Sequence, residues 1–188
     1  QHEFSMSAEA LQWIVSSYVL GFGGFLLLGG RIADLFGRRR VFIIAMTIFG
    51  LASLVGAFAD TEEMIIVTRV IKGVAAGFTA PAALSLLLAT YNDPVKRTKA
   101  LGAYSTAGAV GFTIGIVVGG LLGLLNWRFV FLLPFVVALL VVVAAFLILP
   151  PDEPTKRKKR FDLVGSILVT SGLILAVYGV TQAATAGW

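Results

Sequence analysis

The chain has 188 residues, 58% of them hydrophobic and 13% charged, with a mean hydropathy of +0.94. A soluble domain needs far more polar surface, so composition makes this an integral membrane protein. The absence of cysteine excludes a disulfide framework, a thiolate metal site and a cysteine nucleophile, and the net charge of +5 has to be read from where the charges lie.

Gln1 to Ala10 is polar, and the single histidine, His2, reads as solvated. No cleavable leader is apparent, and an opening Gln in place of Met suggests a fragment of a longer protein. The first apolar run is Leu11 to Gly29, with Trp13 and Tyr18 near its outer end, where amphipathic rings favour the headgroup layer. Gly30 to Arg40 reads as a short basic turn, because three consecutive arginines cannot sit in hydrocarbon. A second run, Val41 to Ala59, leads to the acidic turn Asp60 to Glu63. The third run, Met64 to Thr90, contains Pro81, which is expected to kink it. A basic turn, Tyr91 to Lys99, precedes a Gly-rich fourth run, Ala100 to Leu125. Asn126 to Arg128 turns the chain into a fifth run that ends near Leu149. A polar loop carrying Lys156 to Arg160 then leads to a sixth run, Phe161 to Ala184.

Each run is long enough to cross a hydrocarbon core of about 30 Å at about 1.5 Å per residue. The expected fold is therefore all-α, a polytopic membrane bundle of six transmembrane helices. Charge orients it. Twelve Lys or Arg residues fall in the three loops on one side, and only Arg128 falls on the other. By the positive-inside rule the three basic loops are cytoplasmic and both termini lie outside. The run Lys156 to Arg160 reads as an orientation and lipid-contact signal rather than a nucleic-acid patch.

Two further basic residues, Arg69 and Lys72, lie within the third run, three residues apart and so on one helical face. Leaving a cation in hydrocarbon costs about 2.5–3.5 kcal/mol on insertion scales. Either both snorkel toward the outer surface, or both face a water-filled path in which a carboxylate or an anionic substrate answers them. The fourth run carries Ala103, Ala107, Gly111, Gly115, Gly119 and Gly123 at four-residue spacing, a tape that lets a neighbouring helix approach closely. Tyr18, Phe22, Phe78 and Tyr104 are candidates for lining a cavity, with lipid-facing or core packing as the alternative. The spans hold no metal-ligand cluster, paired carboxylates or phosphate loop, so neither an enzyme nor a cofactor is expected.

Several of these segments resemble the major facilitator superfamily. Gly30, Ile32, Ala33, Asp34, Gly37, Arg38 and Arg39 match its cytoplasmic loop signature, with Leu35 where a basic residue is usual. Ile65, Arg69 and Gly73 match the motif whose arginine is associated with proton coupling, with Lys72 replacing the usual glutamine. Gly111, Gly115, Gly119 and Gly120 look like the antiporter motif, with Ile116 replacing its proline. Trp127-Arg128-Phe-Val-Phe131 is similar to the start of the sixth family helix. Phe161-Asp-Leu-Val-Gly165 resembles the extra helix of fourteen-span drug:proton antiporters.

The resemblance implies a partial N-terminal bundle over 1–149, a basic cytoplasmic loop over 150–160 and an additional transmembrane helix over 161–188. The first family helix and the C-terminal half would belong to the rest of the parent chain. It also implies proton-coupled efflux of hydrophobic or amphipathic compounds across the cell membrane by alternating access. Asp34 with Arg38 and Arg39 would form a gating latch, the fourth span a sliding seam, and Arg69 a modulator of carboxylate protonation. The partners expected are protons, a small-molecule substrate and the bilayer. Two other readings stand beside it: export or flipping of an anionic solute or lipid, and a non-transporting partner that docks through its glycine tape.

Overall fold

The computed structural model describes residues 8–152 and 163–186, which form six helices. They are α1 (Ala8–Phe36), α2 (Arg38–Ala57), α3 (Glu62–Thr90), α4 (Pro94–Leu125), α5 (Trp127–Ile148) and α6 (Leu163–Ala186). Among the described residues, α1 to α5 are long and apolar enough to cross a membrane. The expected loop Lys156 to Arg160 lies outside the described residues.

The turns are much shorter than the charge pattern suggested. The basic turn expected over Gly30 to Arg40 is a single residue, Gly37, with Gly30 and Asp34 inside α1 and Arg38 and Arg39 opening α2. Likewise Lys96, Arg97 and Lys99 belong to α4, and Glu62 and Glu63 to α3. The reason is that charge ends the hydrophobic run but not the helix. Once past the hydrocarbon, a helix stays intact until its caps close it.

Those caps are visible. Thr61 Oγ accepts from the Met64 amide, Asp93 Oδ1 from the Lys96 amide at 2.9 Å with Pro94 just inside, and Asn126 Oδ1 from the Arg128 amide at 2.9 Å. The α1–α2 junction is made by Gly37 at φ 103°, a region in which a residue with a Cβ is strained. Pro81 leaves α3 as one continuous helix.

Packing centres on α3, which lies against both α1 and α2, while α5 flanks α2 and α6 flanks α1. The α1–α3 crossing is a glycine seam. A Cβ on Gly21 would stand 2.8 Å from the Val70 carbonyl oxygen, and one on Gly77 2.9 Å from that of Phe22. Gly29 and Gly73 face backbone in the same way. Such approach is what small residues permit in a bilayer, where helices gain little from hydrophobicity alone.

The fourth span behaves differently. No residue of α4 is buried, and a Cβ added at Gly111, Gly115, Gly119 or Gly120 would meet nothing within 4 Å. Among the described residues this stretch of its glycine tape is uncovered, and only Gly123 meets a side chain, that of Val130.

Candidate functional site

α3 sets the site. Its register turns Lys72 inward, between α2 and α5, where the residue is only 5% exposed. The Lys72 ammonium lies 5.0 Å from the centroid of Phe49 on α2 and 5.2 Å from that of Phe131 on α5. Arg69, one turn earlier, places its guanidinium carbon 5.4 Å from the Phe131 ring. Among the described residues, neither cation is held by a carboxylate, and the buried Arg69 Nε has no hydrogen-bond partner.

What the described residues place against the two cations is aromatic faces. Each desolvated cation–π contact contributes about 2 kcal/mol, enough for two rings to offset an insertion cost of about 2.5–3.5 kcal/mol. Phe131 itself is buried, meeting Trp127 edge-on at 6.0 Å and 87°. The Trp127–Phe131 segment was legible as a helix start, but its ring over the two cations was not.

Beside Lys72 opens a cavity of about 400 Å³ between α1, α2, α3 and α4. Tyr18, Phe22, Phe42, Met46, Phe49 and Tyr104 supply most of its wall, and Thr79, which donates to the Ala75 carbonyl, also lines it. Tyr18 and Phe22 are stacked, 6.3 Å apart and 3° from parallel. Three of the four aromatic candidates therefore share one cavity. The fourth, Phe78, is a packing residue: it sits against the buried Ala33, Val41 and Ala82 and beside Phe25, outside this cavity. Phe49 both lines the cavity and covers Lys72, a role that no local pattern around it announced.

At one end of the bundle the loop-signature residues form a second constellation. Arg38 donates from Nε and Nη2 to Asp34 Oδ1 at 3.3 and 3.2 Å, and from Nη1 to the Ser85 carbonyl at 3.3 Å. This ties α1 and α2 to α3. Asp152, just beyond α5, accepts from the amides of Arg39 and Arg40, each at 2.9 Å. It therefore caps α2 from far along the chain, a place where the helix dipole favours negative charge. Arg39 completes the tie by donating to the Phe146 carbonyl at 3.1 Å, with its guanidinium 5.6 Å from the Phe146 ring. Asp34, Gly37, Arg38 and Asp152 border a cleft of about 530 Å³ at this end. Gly30, further back along α1, faces Pro81 of α3 and does not border this cleft. The sequence pointed to Asp34, Arg38 and Arg39; Asp152 escaped notice because a capping carboxylate more than a hundred residues away leaves no local signature.

The opposite end holds Asp60 and Arg128, 3.9 Å apart. Among the described residues there is no cluster of His, Cys, Asp and Glu able to hold a metal ion.

Residues 1–187 match the family model described as Major Facilitator Superfamily. The chain is 42% identical to a puromycin resistance protein of Streptomyces alboniger, matching 100% of this chain and 37% of that protein. It is 37% identical to a cephamycin export protein of Amycolatopsis lactamdurans, over 99% of this chain and 39% of the relative. It is also 34% identical to a major facilitator superfamily multidrug transporter of Aspergillus fumigatus, over 100% of this chain and 36% of the relative. The chain thus spans well under half the length of these relatives. With a matching helical bundle and a family match over nearly every residue, the chain belongs to the Major Facilitator Superfamily, a group of membrane transporters rather than enzymes.

Proposed function

We propose that the chain is part of a proton-coupled exporter of hydrophobic or amphipathic compounds, of the fourteen-span drug:proton antiporter type. The observation that carries this reading is the aromatic cavity of about 400 Å³ among α1 to α4, set against the buried cations of α3. Its size and apolar walls suit a drug-sized molecule. The relatives named for resistance to or export of antibiotics support the direction of transport.

In this reading residues 1–149 are most of an N-terminal bundle, 150–160 a cytoplasmic loop and 161–188 an added helix. A preceding helix and a second bundle of the parent chain complete the path in the cell membrane. Transport proceeds by rocking the two bundles about a midplane site. The basic ends of α1 and α2 lie in the cytoplasm, where Asp34, Arg38, Arg39 and Asp152 hold one state closed. The glycine tape of α4 slides on the second bundle. Arg69 sets the protonation of a carboxylate contributed by the rest of the parent, since a cation within about 4–6 Å lowers a carboxylate pKa by about 1–3 units.

The test is efflux by the full-length parent in inverted membrane vesicles carrying an imposed proton gradient. Accumulation of a lipophilic dye that collapses when a protonophore is added supports the reading. Accumulation indifferent to the gradient, or none, refutes it.

A further inference from the structure

Phe49 is the partition between an apolar cavity and a buried ammonium: one ring lines the space and also covers Lys72 at 5.0 Å. On the other flank Lys72 meets Phe131, at 5.2 Å, and the neighbouring Arg69 leaves its buried Nε unpartnered. An ammonium has three N–H donors, and among the described residues no oxygen accepts from Lys72. Rings attract a cation but accept no strong hydrogen bond, so this corner of the bundle keeps unused donors of one sign next to a space for a flat apolar body.

Resting on the export reading above, we propose that this cavity selects amphipathic organic anions: an aromatic body against Tyr18, Phe22 and Tyr104, and a carboxylate or similar acidic group that displaces the Phe49 ring to reach Lys72. The class follows from the charge. A cationic substrate entering the same space meets Lys72 as a like charge in a low-dielectric setting, whereas an acidic group gains a charge-assisted hydrogen bond in place of a π contact. A neutral compound of the same shape gains only the walls. Phe49 then acts as a swinging cover that keeps the ammonium compensated when the cavity is empty.

The experiment uses the full-length parent in proteoliposomes and three probes: fluorescein as the anion, rhodamine 123 as the cation with the same ring system, and Nile red as a neutral dye. Wild type is expected to move fluorescein at least about tenfold faster than rhodamine 123 under a proton gradient, the effect of one charged hydrogen bond gained or lost. Lys72→Gln should erase that preference and Lys72→Arg should keep it. If Nile red or rhodamine 123 is exported and fluorescein is not, the anion assignment is wrong while export stands. An unchanged preference in Lys72→Gln also overturns it. If no probe responds to the gradient, the export reading fails and this inference goes with it. Should Lys72→Gln not fold, fluorescence polarisation on purified wild type decides the matter, because equal affinity for fluorescein and rhodamine 123 removes the role assigned to Lys72.

Discussion

The backbone carbonyl of Tyr18 occupies the space into which any side chain at Gly73 would project. One residue of the aromatic wall is thereby fixed to the residue beside Lys72 through main chain alone. Gly73→Ala should therefore shift α1 against α3 and lower stability by about 1–3 kcal/mol, the range for overpacked cores. Gly23→Ala, on α1 and with nothing within 4 Å of its Cβ, should be neutral or stabilising by up to about 1 kcal/mol, because alanine is the better helix former. Thermal unfolding of the two purified variants in one detergent separates these outcomes. Equal melting temperatures would remove the seam from the account.

This seam also marks what could be read from sequence. The tape of α4 was conspicuous because its glycines recur on one helix, yet among the described residues nothing stands against Gly111, Gly115, Gly119 or Gly120. The α1–α3 seam is split between Gly21 and Gly29 on one helix and Gly73 and Gly77 on the other. Each pair has a helical spacing, but which two helices meet is a property of topology. The same holds for Lys72. Its intramembrane charge was legible, whereas its partners Phe49 and Phe131 arrive from α2 and α5. Helix number and order followed from hydropathy. Helix ends did not, because polar residues leave the hydrocarbon without leaving the helix.

Asp152→Asn should loosen the start of α2. The carboxylate holds two amides at 2.9 Å, and its charge opposes the positive end of the helix. Because the residue is exposed, the stability cost should be small, about 1 kcal/mol or less. If the proposed latch opens and closes during transport, transport by the full-length parent should fall by far more than stability does, since the bond ties the segment after α5 to the α1–α2 junction. Asp152→Glu, which keeps the charge, should recover part of it. A matched fall in stability and transport would make Asp152 a cap and nothing more.

Arg38 uses its fork on two elements at once, the Asp34 carboxylate and the Ser85 carbonyl. A lysine supplies charge but no planar fork, so Arg38→Lys should impair transport nearly as much as Arg38→Gln. A double-mutant cycle with Asp34→Asn should give a coupling energy of about 0.2–1 kcal/mol in stability, as expected for a partly exposed ion pair. Full rescue by lysine would show that charge at the surface, rather than the bridge to α3, is what matters.

The open tape of α4 gives the last prediction. Phe112 and Leu124 are 73% and 84% exposed, and no residue of the helix is buried by α3 or α5. A Cβ at Gly115 or Gly119 meets nothing within 4 Å, so among the described residues nothing stands against added bulk at its root. If the tape is the face that slides on a second bundle, bulk at those positions must strain that contact instead. Gly115→Leu and Gly119→Leu in the full-length parent should leave membrane insertion and expression near wild type while reducing efflux at least about tenfold, the effect of about 1.4 kcal/mol on a conformational step. Gly108→Leu, equally open in this half but outside the motif positions, is the control and should transport normally. Normal efflux in all three variants would show that α4 faces lipid, and the seam would have to be sought on another helix.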